Sequence, residues 1–319
     1  MNSAIQNVSE ETIPESPLAV TSSSELADSQ IVVDDKSAEK AHSYVTNPQG
    51  HAPGAFMQVA LNLKSKVQSI VIGLFSIVFG LVIWHFATLY NFDFFIDFQN
   101  VPSPLKVGGA FAHHLSDSEF YVHIQVSIRR ILIAYSIAVF LGILLGLLVG
   151  RSRMARAAIL PYIEIIRPIP AVAWIPMAIL MWPTEESSIV YITFLGALFP
   201  IILNTVHGVE QTPEVLIRAA QSLGASKLQI FWHVVLPSAL PSIAAGLAIG
   251  MGISWFSLLA GEIISGQYGI GYFTWDAYSL INYPDIVVGM LVIGALGSFS
   301  TYLVRLCMRP ALKWNRKPA

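Results

Sequence analysis

The 319-residue chain carries too few charged residues to cover a soluble domain of its size. Asp, Glu, Lys and Arg make up 12% of it and apolar residues 54%, whereas average soluble proteins have about 25% charged residues. The net charge of −2 argues against a nucleic-acid partner, which would favour a basic face. The single cysteine, Cys307, excludes an intrachain disulfide and a cysteine-rich metal site. With a mean hydropathy of +0.62, the composition predicts an integral membrane protein.

The first 60 residues differ in kind from the rest. They are rich in Ser, Glu, Asp, Ala and Pro and lack sustained apolar periodicity. Such a segment cannot bury enough apolar surface to offset the entropy of ordering it. We therefore predict a disordered cytoplasmic tail over residues 1–60 and a transmembrane domain over residues 61–319. The tail lacks the basic start and apolar stretch of a signal peptide, so we expect the N-terminus to be retained.

Six stretches are apolar and long enough to cross a bilayer, which takes about 20 residues. They are Val67–Tyr90, Ile131–Gly150, Ala158–Met181, Ser188–Val206, Leu240–Ile264 and Ile286–Met308. The predicted fold is all-α and polytopic, with about six transmembrane helices. The third stretch contains four prolines, which remove backbone donors and break helices. Because broken helices at membrane depth are tolerated where they line a cavity, the third span is a candidate pore wall.

The distribution of Lys and Arg predicts the orientation, since these residues are retained on the cytoplasmic side. Three of them, Lys106, Arg129 and Arg130, flank one side of the six spans. The other side carries Lys64, Lys66, Arg151, Arg153, Arg156, Arg218, Lys227, Arg305, Arg309, Lys313, Arg316 and Lys317. We therefore predict that both termini are cytoplasmic. On the external side, a short helical pattern is present at Val107–Leu115.

The cytoplasmic connection of residues 208–239 predicts two short helices. Proline suits a first helical turn and glycine a helix end, so the first helix is expected to begin near Pro213 and end at Gly224. A second short helix, Lys227–Val235, is expected to stop before Pro237. Two short helices meeting at a glycine corner form a knob that would fit a groove on a partner.

This connection resembles the coupling loop of bacterial ABC importer permeases, which reads E-A-A, three residues, G, nine residues, I, one residue, L-P. The matching positions are Arg218, Ala219, Ala220, Gly224, Leu236 and Pro237. The spacing match is complete, but Arg218 stands in place of Glu and Val234 in place of Ile. Because Arg218 reverses the charge, a salt bridge from that Glu to an ATPase cannot be carried over.

A wider resemblance runs from about Ile124 to Ala311. The segments that carry it are Ser127-Ile128-Arg129-Arg130 before a span with Gly142, Gly146 and Gly150, Arg167-Pro168-Ile169-Pro170, Ala173-Trp174-Ile175-Pro176, and Gly261-Glu262 before Gly269-Ile270-Gly271. They are similar to the subgroup of permeases that import nitrate, sulfonates, taurine and bicarbonate.

The resemblance implies a multi-pass subunit of the bacterial cytoplasmic (inner) membrane. Two permease copies would enclose a path, with two ABC ATPase subunits below and a periplasmic or lipid-anchored substrate-binding protein outside. The chain has no G-x-x-x-x-G-K-[ST] motif. ATP and Mg are therefore expected on the ATPase, and this chain is expected to be a transport subunit without a cofactor and not an enzyme.

Six residues are candidates for the translocation path or a gate: Arg129, Arg130, Glu164, Arg167, Trp174 and Glu262. Each also has a structural interpretation. Glu164 and Arg167 are three residues apart and could simply pair, or Arg167 could attract an anion on the path.

The other candidates have similar alternatives. Arg129 and Arg130 would be interfacial anchors, partners for external acids, or an anion-attracting mouth. Glu262 would be a helix-end acid, a gate or a contact for the binding protein. Trp174 near a span end fits the aromatic belt. No His, Cys or acid shows metal-ligand spacing, so no metal site is expected.

Two other classes of function stay open. A stand-alone channel or ion-coupled secondary transporter would show broken helices paired across an internal repeat, and none is visible. A membrane enzyme would require an acid–base or metal constellation, which the sequence does not display. The substrate stays open among nitrate, taurine, alkanesulfonates and bicarbonate.

Overall fold

The computed structural model describes residues 55–90 and 100–315, and these residues form helices and turns without a strand among them. The α-helices are α1 (Ala55–Leu89), α2 (Pro104–His114), α3 (Ser118–Arg151), α4 (Arg153–Ile166), α5 (Ile175–Met181), α6 (Glu185–Glu210), α7 (Glu214–Ser222), α8 (Lys227–Ile230), α9 (Leu236–Ser265), α10 (Ile270–Ser279) and α11 (Tyr283–Met308). Short 3₁₀ turns lie at Ala171–Trp174 and Lys313–Asn315, and a π turn at Phe231–Val235.

The chain divides into two units, Met1–Leu74 and Phe75–Ala319. In the first unit the described residues belong to α1, which begins at Ala55, inside the predicted tail. The rest of the predicted tail lies outside the described residues, so its disorder stays a prediction. The second unit contains the end of α1 and all the other helices.

The prediction of an all-helical polytopic fold is confirmed. Five described helices are long and apolar enough to cross a membrane, and the bent pair α4 and α5 makes the sixth. The bend between Arg153–Ile166 and Ala171–Met181 is 87°. Pro168 and Pro170 lie in the break, so no backbone donor is available there to continue the helix. The broken third span was therefore predicted correctly.

Helix α3 begins well before the predicted span Ile131–Gly150. Helix α3 starts at Ser118 because Asp117 caps it, accepting a hydrogen bond from the backbone N–H of Glu119 at 3.0 Å. Arg129 and Arg130 consequently lie inside the helix and not at its beginning. The short helix expected at Val107–Leu115 is present as α2, and its external position stays a prediction.

The prediction that a separate helix stops before Pro237 is wrong. Residues Lys227–Ile264 form one continuous apolar span. Within it the backbone N–H of Leu236 donates to the carbonyl of Phe231, five residues back. This π turn widens the helix where a proline ring would otherwise clash with the preceding turn, so Pro237 is accommodated in the first turn of α9.

Helices α3, α6 and α9 pack closely through small residues. Gly142, Gly146 and Gly150 of α3 face α6, where a Cβ built on Gly146 would lie 2.5 Å from the Cβ of Thr205. On α9, Gly246 and Gly250 approach α6, whereas nothing lies within 4 Å of a Cβ on Gly252. Small residues let helix backbones approach in membranes. The order of these contacts along the chain means that α3 is parallel to α6 and that α9 is antiparallel to it.

Apolar side chains also cover the outside of the second unit. Phe75, Phe79 and Phe86 of α1 are exposed, and Trp84 is the half-buried exception, packed against the cluster around Phe120. Cys307 of α11 is exposed as well. Such an apolar exterior suits lipid as the solvent.

Candidate functional site

Residues 208–239, which the sequence predicts to be a coupling loop and which keep that name below, contain a corner built by local capping interactions. Helix α7 ends in a Schellman motif: Gly224 has φ +79°, its N–H donates to the carbonyl of Gln221 at 2.9 Å, and the N–H of Ala225 donates to that of Ala220 at 3.1 Å. Ser226 and Gln229 then form a capping box for α8. These interactions fix the corner between the two short helices.

The knob has an inner and an outer face. Ala220 packs against the main core cluster and Ile230 is buried in it. On the outer face, Ala219 and Gly224 are exposed, and Leu223 is 87% exposed. Further exposed apolar side chains of the knob are Val215, Leu216, Leu228 and Trp232. Exposed apolar patches of this kind mark protein–protein or membrane interaction sites.

Arg218 is engaged within its own helix. Its Nη2 lies 2.9 Å from Oε1 of Glu214, four residues back, and both side chains are largely exposed. Exposed pairs of this kind contribute less than about 1 kcal/mol. Arg218 is therefore available to a partner at little cost.

Near its C-terminal end, α9 contributes Glu262 to a buried ion-pair network, here called the Arg130 network. Nη1 of Arg130 lies 3.0 Å from Oε1 of Glu262, with 5% and 1% of the two side chains exposed. The Nε and Nη2 groups of Arg130 donate to Oε2 of Glu186 at 2.9 and 2.6 Å. A charge buried away from water needs such partners.

Glu262 also accepts hydrogen bonds from neutral donors. The Ser127 hydroxyl lies 2.8 and 3.0 Å from its two oxygens, and the N–H of Gly271 donates to Oε2 at 2.9 Å. The Ser127 oxygen in turn accepts the N–H of Ile270. Gly269 has φ +123° and packs on the Glu262 carboxylate, where a side chain would not fit. The network therefore joins α3, α6 and α9 to the turn that starts α10.

The sequence left several interpretations of Arg129, Arg130 and Glu262 open. Pairing with acids is what the structure displays, since Arg129 also contacts Glu186 at 2.8 Å. Glu262 is a fully buried carboxylate held by three groups, the Arg130 guanidinium, the Ser127 hydroxyl and the N–H of Gly271, so it is more than a helix-end acid. A gating role for these residues stays a prediction. Ser127 and Glu186 were not singled out, because partners more than 50 residues apart leave no local pattern.

A cavity of about 310 Å³ lies at the bend of the third span, here called the bend cavity. Its walls come from the α4–α5 break, from α6 and from α9. The lining residues are Arg167, Ile169, Pro170, Ala171, Trp174, Leu195, Gly196, Phe199, Pro200, Leu203, Ile253, Phe256 and Ser257. The proline-rich span therefore lines a cavity, while its role as a pore wall stays a prediction.

The polar residues of the bend cavity carry hydrogen-bond donors. Nη2 of Arg167 lies 3.1 Å from Oε2 of Glu164, the predicted pairing, and both side chains are 45% exposed. The indole N–H of Trp174 and the hydroxyl of Ser257 are buried and have no hydrogen-bond partner among the described residues. The sequence placed Arg167 and Trp174 together by chain proximity but gave no signal for Ser257. Among the described residues, no group of three His, Cys, Asp or Glu could hold a metal ion.

A family model decides the class of protein. The model of the "binding-protein-dependent transport system inner membrane component" matches residues 138–312 of this chain. The chain belongs to this family. The matched segment contains the coupling loop, the bend cavity and Glu262, whereas α1 and α2 precede it.

Curated permeases also resemble this family member. A nitrate import permease protein of Synechocystis sp. is 33% identical over 208 residues, which cover 62% of this chain and 76% of that protein. A taurine transport system permease protein of Escherichia coli is 34% identical, covering 62% and 72%. A bicarbonate transport system permease protein of Synechococcus elongatus is 39% identical, covering 54% and 62%. A solved structure of a methionine ABC transporter matches 63% of this chain with 19% identity and a TM-score of 0.49.

Proposed function

We propose that this permease is the membrane subunit of an ATP-driven importer for a small anion of the nitrate, sulfonate, taurine or bicarbonate class. The exposed apolar side chains on α7 and α8 of the coupling loop are the observation that supports this proposal most directly. The names of its relatives favour the substrate class. Nitrate, bicarbonate and sulfonates are compact anions with several acceptor oxygens, which hydrogen-bond donors such as arginine recognise.

In the proposed mechanism the coupling loop docks in a cleft of a partner ATPase, which binds ATP and Mg and carries out hydrolysis. The exposed face of Leu223, Leu216 and Trp232 supplies apolar contact. Closure of the nucleotide site then moves the loop.

Helix geometry supports transmission of that movement across the membrane. The continuous span Lys227–Ile264 has 38 residues, about 57 Å at 1.5 Å per residue. It is longer than the hydrocarbon core of about 30 Å. It carries the coupling loop at one end, Ser257 of the bend cavity further along and Glu262 near the other end. A push at Lys227 would therefore displace the cavity wall and the Arg130 network together.

The proposal also includes the other subunits of the importer and the orientation of this chain in the membrane. Two permease copies enclose the path, a periplasmic or lipid-anchored binding protein delivers the anion, and both termini lie in the cytoplasm of a bacterium with the chain in its inner membrane. The excess of Lys and Arg on the side of the coupling loop supports this orientation.

Affinity purification of the tagged permease from native membranes, followed by mass spectrometry and an ATPase assay, tests the proposal. We expect an ATPase chain to co-purify with the native permease and to be lost when Leu223 and Leu216 are replaced by Asp. Recovery of a stable permease alone, without ATPase activity, would instead support a stand-alone channel or secondary transporter.

A further inference from the structure

The bend cavity combines apolar walls with donors that have no partner. Ser257 is fully buried at 0% exposure, and its hydroxyl lacks a hydrogen-bond partner among the described residues. The Nε1–H of Trp174 is likewise buried and has no hydrogen-bond partner among the described residues. A buried polar group without a partner costs about 1–3 kcal/mol. Two of them in the lining of one cavity call for a ligand.

The Ser257 hydroxyl differs from other buried hydroxyls of α6 and α9, which donate to backbone carbonyls of their own helix. Ser254 lies on the same helix, is equally buried, and donates to the carbonyl of Gly250 at 2.8 Å. Thr193 and Thr205 of α6 likewise donate to carbonyls four residues back. Ser257 packs against Gly196, where an added Cβ would clash with the Ser257 hydroxyl, so α6 and α9 approach closely there. Its hydroxyl is therefore held at the cavity wall without the usual partner on its own helix.

Arg167 contributes a positive charge to the lining of the bend cavity. One contact engages it with Glu164, while a guanidinium carries five donors. The remaining donors of Arg167 can serve a ligand at the cavity. Each of the three polar side chains of the lining thus supplies at least one N–H or O–H group.

We propose that the bend cavity is an oxyanion-binding station inside the permease, with Arg167, Trp174 and Ser257 as the donors. The proposal rests on the proposed import function and adds a selectivity step to it, beyond the choice made by the binding protein. Three donors around an apolar cavity match an anion with three acceptor oxygens, such as nitrate, bicarbonate or a sulfonate group. Both the Ser257 hydroxyl and the Trp174 indole N–H are inaccessible in the described state. Their hydrogen bonds to the anion therefore form when the helices around the cavity move apart, for Ser257 at its contact with Gly196.

The test uses the permease–ATPase complex in nanodiscs without binding protein. Binding of nitrate, bicarbonate, taurine and ethanesulfonate is measured by calorimetry, with and without a non-hydrolysable ATP analogue. We expect one of these anions to bind the native complex, and Ser257→Ala and Trp174→Phe each to weaken it about tenfold, the effect of one hydrogen bond to a charged ligand. Arg167→Gln should weaken binding further than Arg167→Lys.

Matched controls separate the station from general damage. Ser254→Ala removes a buried hydroxyl from the same helix, and Trp255→Phe removes an indole N–H that donates to Ser300 at 3.1 Å away from the bend cavity. Both variants should bind the anion like the native complex.

Uptake by the full importer distinguishes failure of the oxyanion-binding station from failure of the proposed import function. If the native importer takes up one of the four anions while no variant changes its binding, or while the native complex binds none, the station is refuted and the proposed function stands. If the native importer takes up none of them, the proposed substrate class itself is refuted.

Discussion

Arg130 and Glu262, 132 residues apart in sequence, meet in a buried ion pair with 3.0 Å between Nη1 and Oε1. Glu186 occupies the other side of the guanidinium, and the carbonyl of Tyr268 accepts from Nη1 at 2.6 Å. The pair therefore fastens three long helices and the turn before α10 at one point. Its neighbour Arg129 contacts the same Glu186 but is 64% exposed.

Replacing Arg130 by Gln should destabilise the permease strongly. The change leaves Glu262 as a buried charge without its cationic partner, which costs about 3–5 kcal/mol. Thermal unfolding of the purified protein in detergent should show a clearly lower Tm. Arg129→Gln is the matched control and should change stability by less than about 1 kcal/mol, because the Arg129 pair is solvated. Equal losses of stability in Arg130→Gln and Arg129→Gln would contradict the assignment of Arg130 as the buried partner of Glu262.

The double variant Arg130→Met with Glu262→Leu should recover much of the stability lost by either single change. Removing both charges abolishes the desolvation penalty, and apolar replacements of buried pairs are often neutral. Unfolding measured on all four members of this cycle gives the coupling energy. Strictly additive losses would mean that the two side chains do not interact.

Gly224→Val should uncouple the permease from its ATPase. A β-branched residue at φ +79° is strained by about 1–3 kcal/mol, so the Schellman corner of the coupling loop should open. ATPase association should fall, while Gly224→Asn should retain it because Asn tolerates this conformation. Gly252→Ala serves as a control, since a Cβ there meets nothing within 4 Å.

Gly146→Ala should loosen the packing of α3 on α6. Its new Cβ would lie 2.5 Å from Thr205, a contact with no flexible end to move away. Overpacking of this kind costs about 1–3 kcal/mol. Thermal unfolding should register the loss, whereas Gly294→Ala on α11, where the Cβ has open space, should leave the Tm unchanged.

Leu223→Asp should abolish binding of the ATPase without affecting the fold. At 87% exposure Leu223 contributes little to the core, but a charge on the outer face of the coupling loop would be buried in the proposed cleft. Leu105→Asp, at 75% exposure on α2, is the control and should leave ATPase binding intact. An effect of Leu105→Asp equal to that of Leu223→Asp would argue against a specific docking face.

Features encoded by neighbouring residues could be predicted from the sequence, and long-range contacts could not. The apolar runs gave the spans, the prolines at 168 and 170 gave the break, and Gly224 gave the corner of the coupling loop. Each of these depends on interactions within a few residues. The start of α3 was missed because the polar stretch after Asp117 lowers the hydropathy although the helix continues.

The missed parts of the site depend on tertiary structure. Nothing near Glu262 in sequence announces Arg130 or Ser127 as partners. The unpartnered hydroxyl of Ser257 becomes visible only beside Ser254, whose hydrogen bond is satisfied. The π turn before Pro237 was missed because proline is a helix breaker in general, and its exception needs the carbonyl of Phe231 in the right register.

ATP-driven anion uptake into proteoliposomes tests the central claim most directly. The vesicles would hold the permease with its co-purified ATPase, and the binding protein and radiolabelled anion would be supplied at the opposite face. We predict saturable uptake of nitrate, taurine, an alkanesulfonate or bicarbonate that requires ATP on the side of the coupling loop and disappears with Gly224→Val. Equal uptake without ATP, or in vesicles lacking the ATPase, would contradict an ATP-coupled permease.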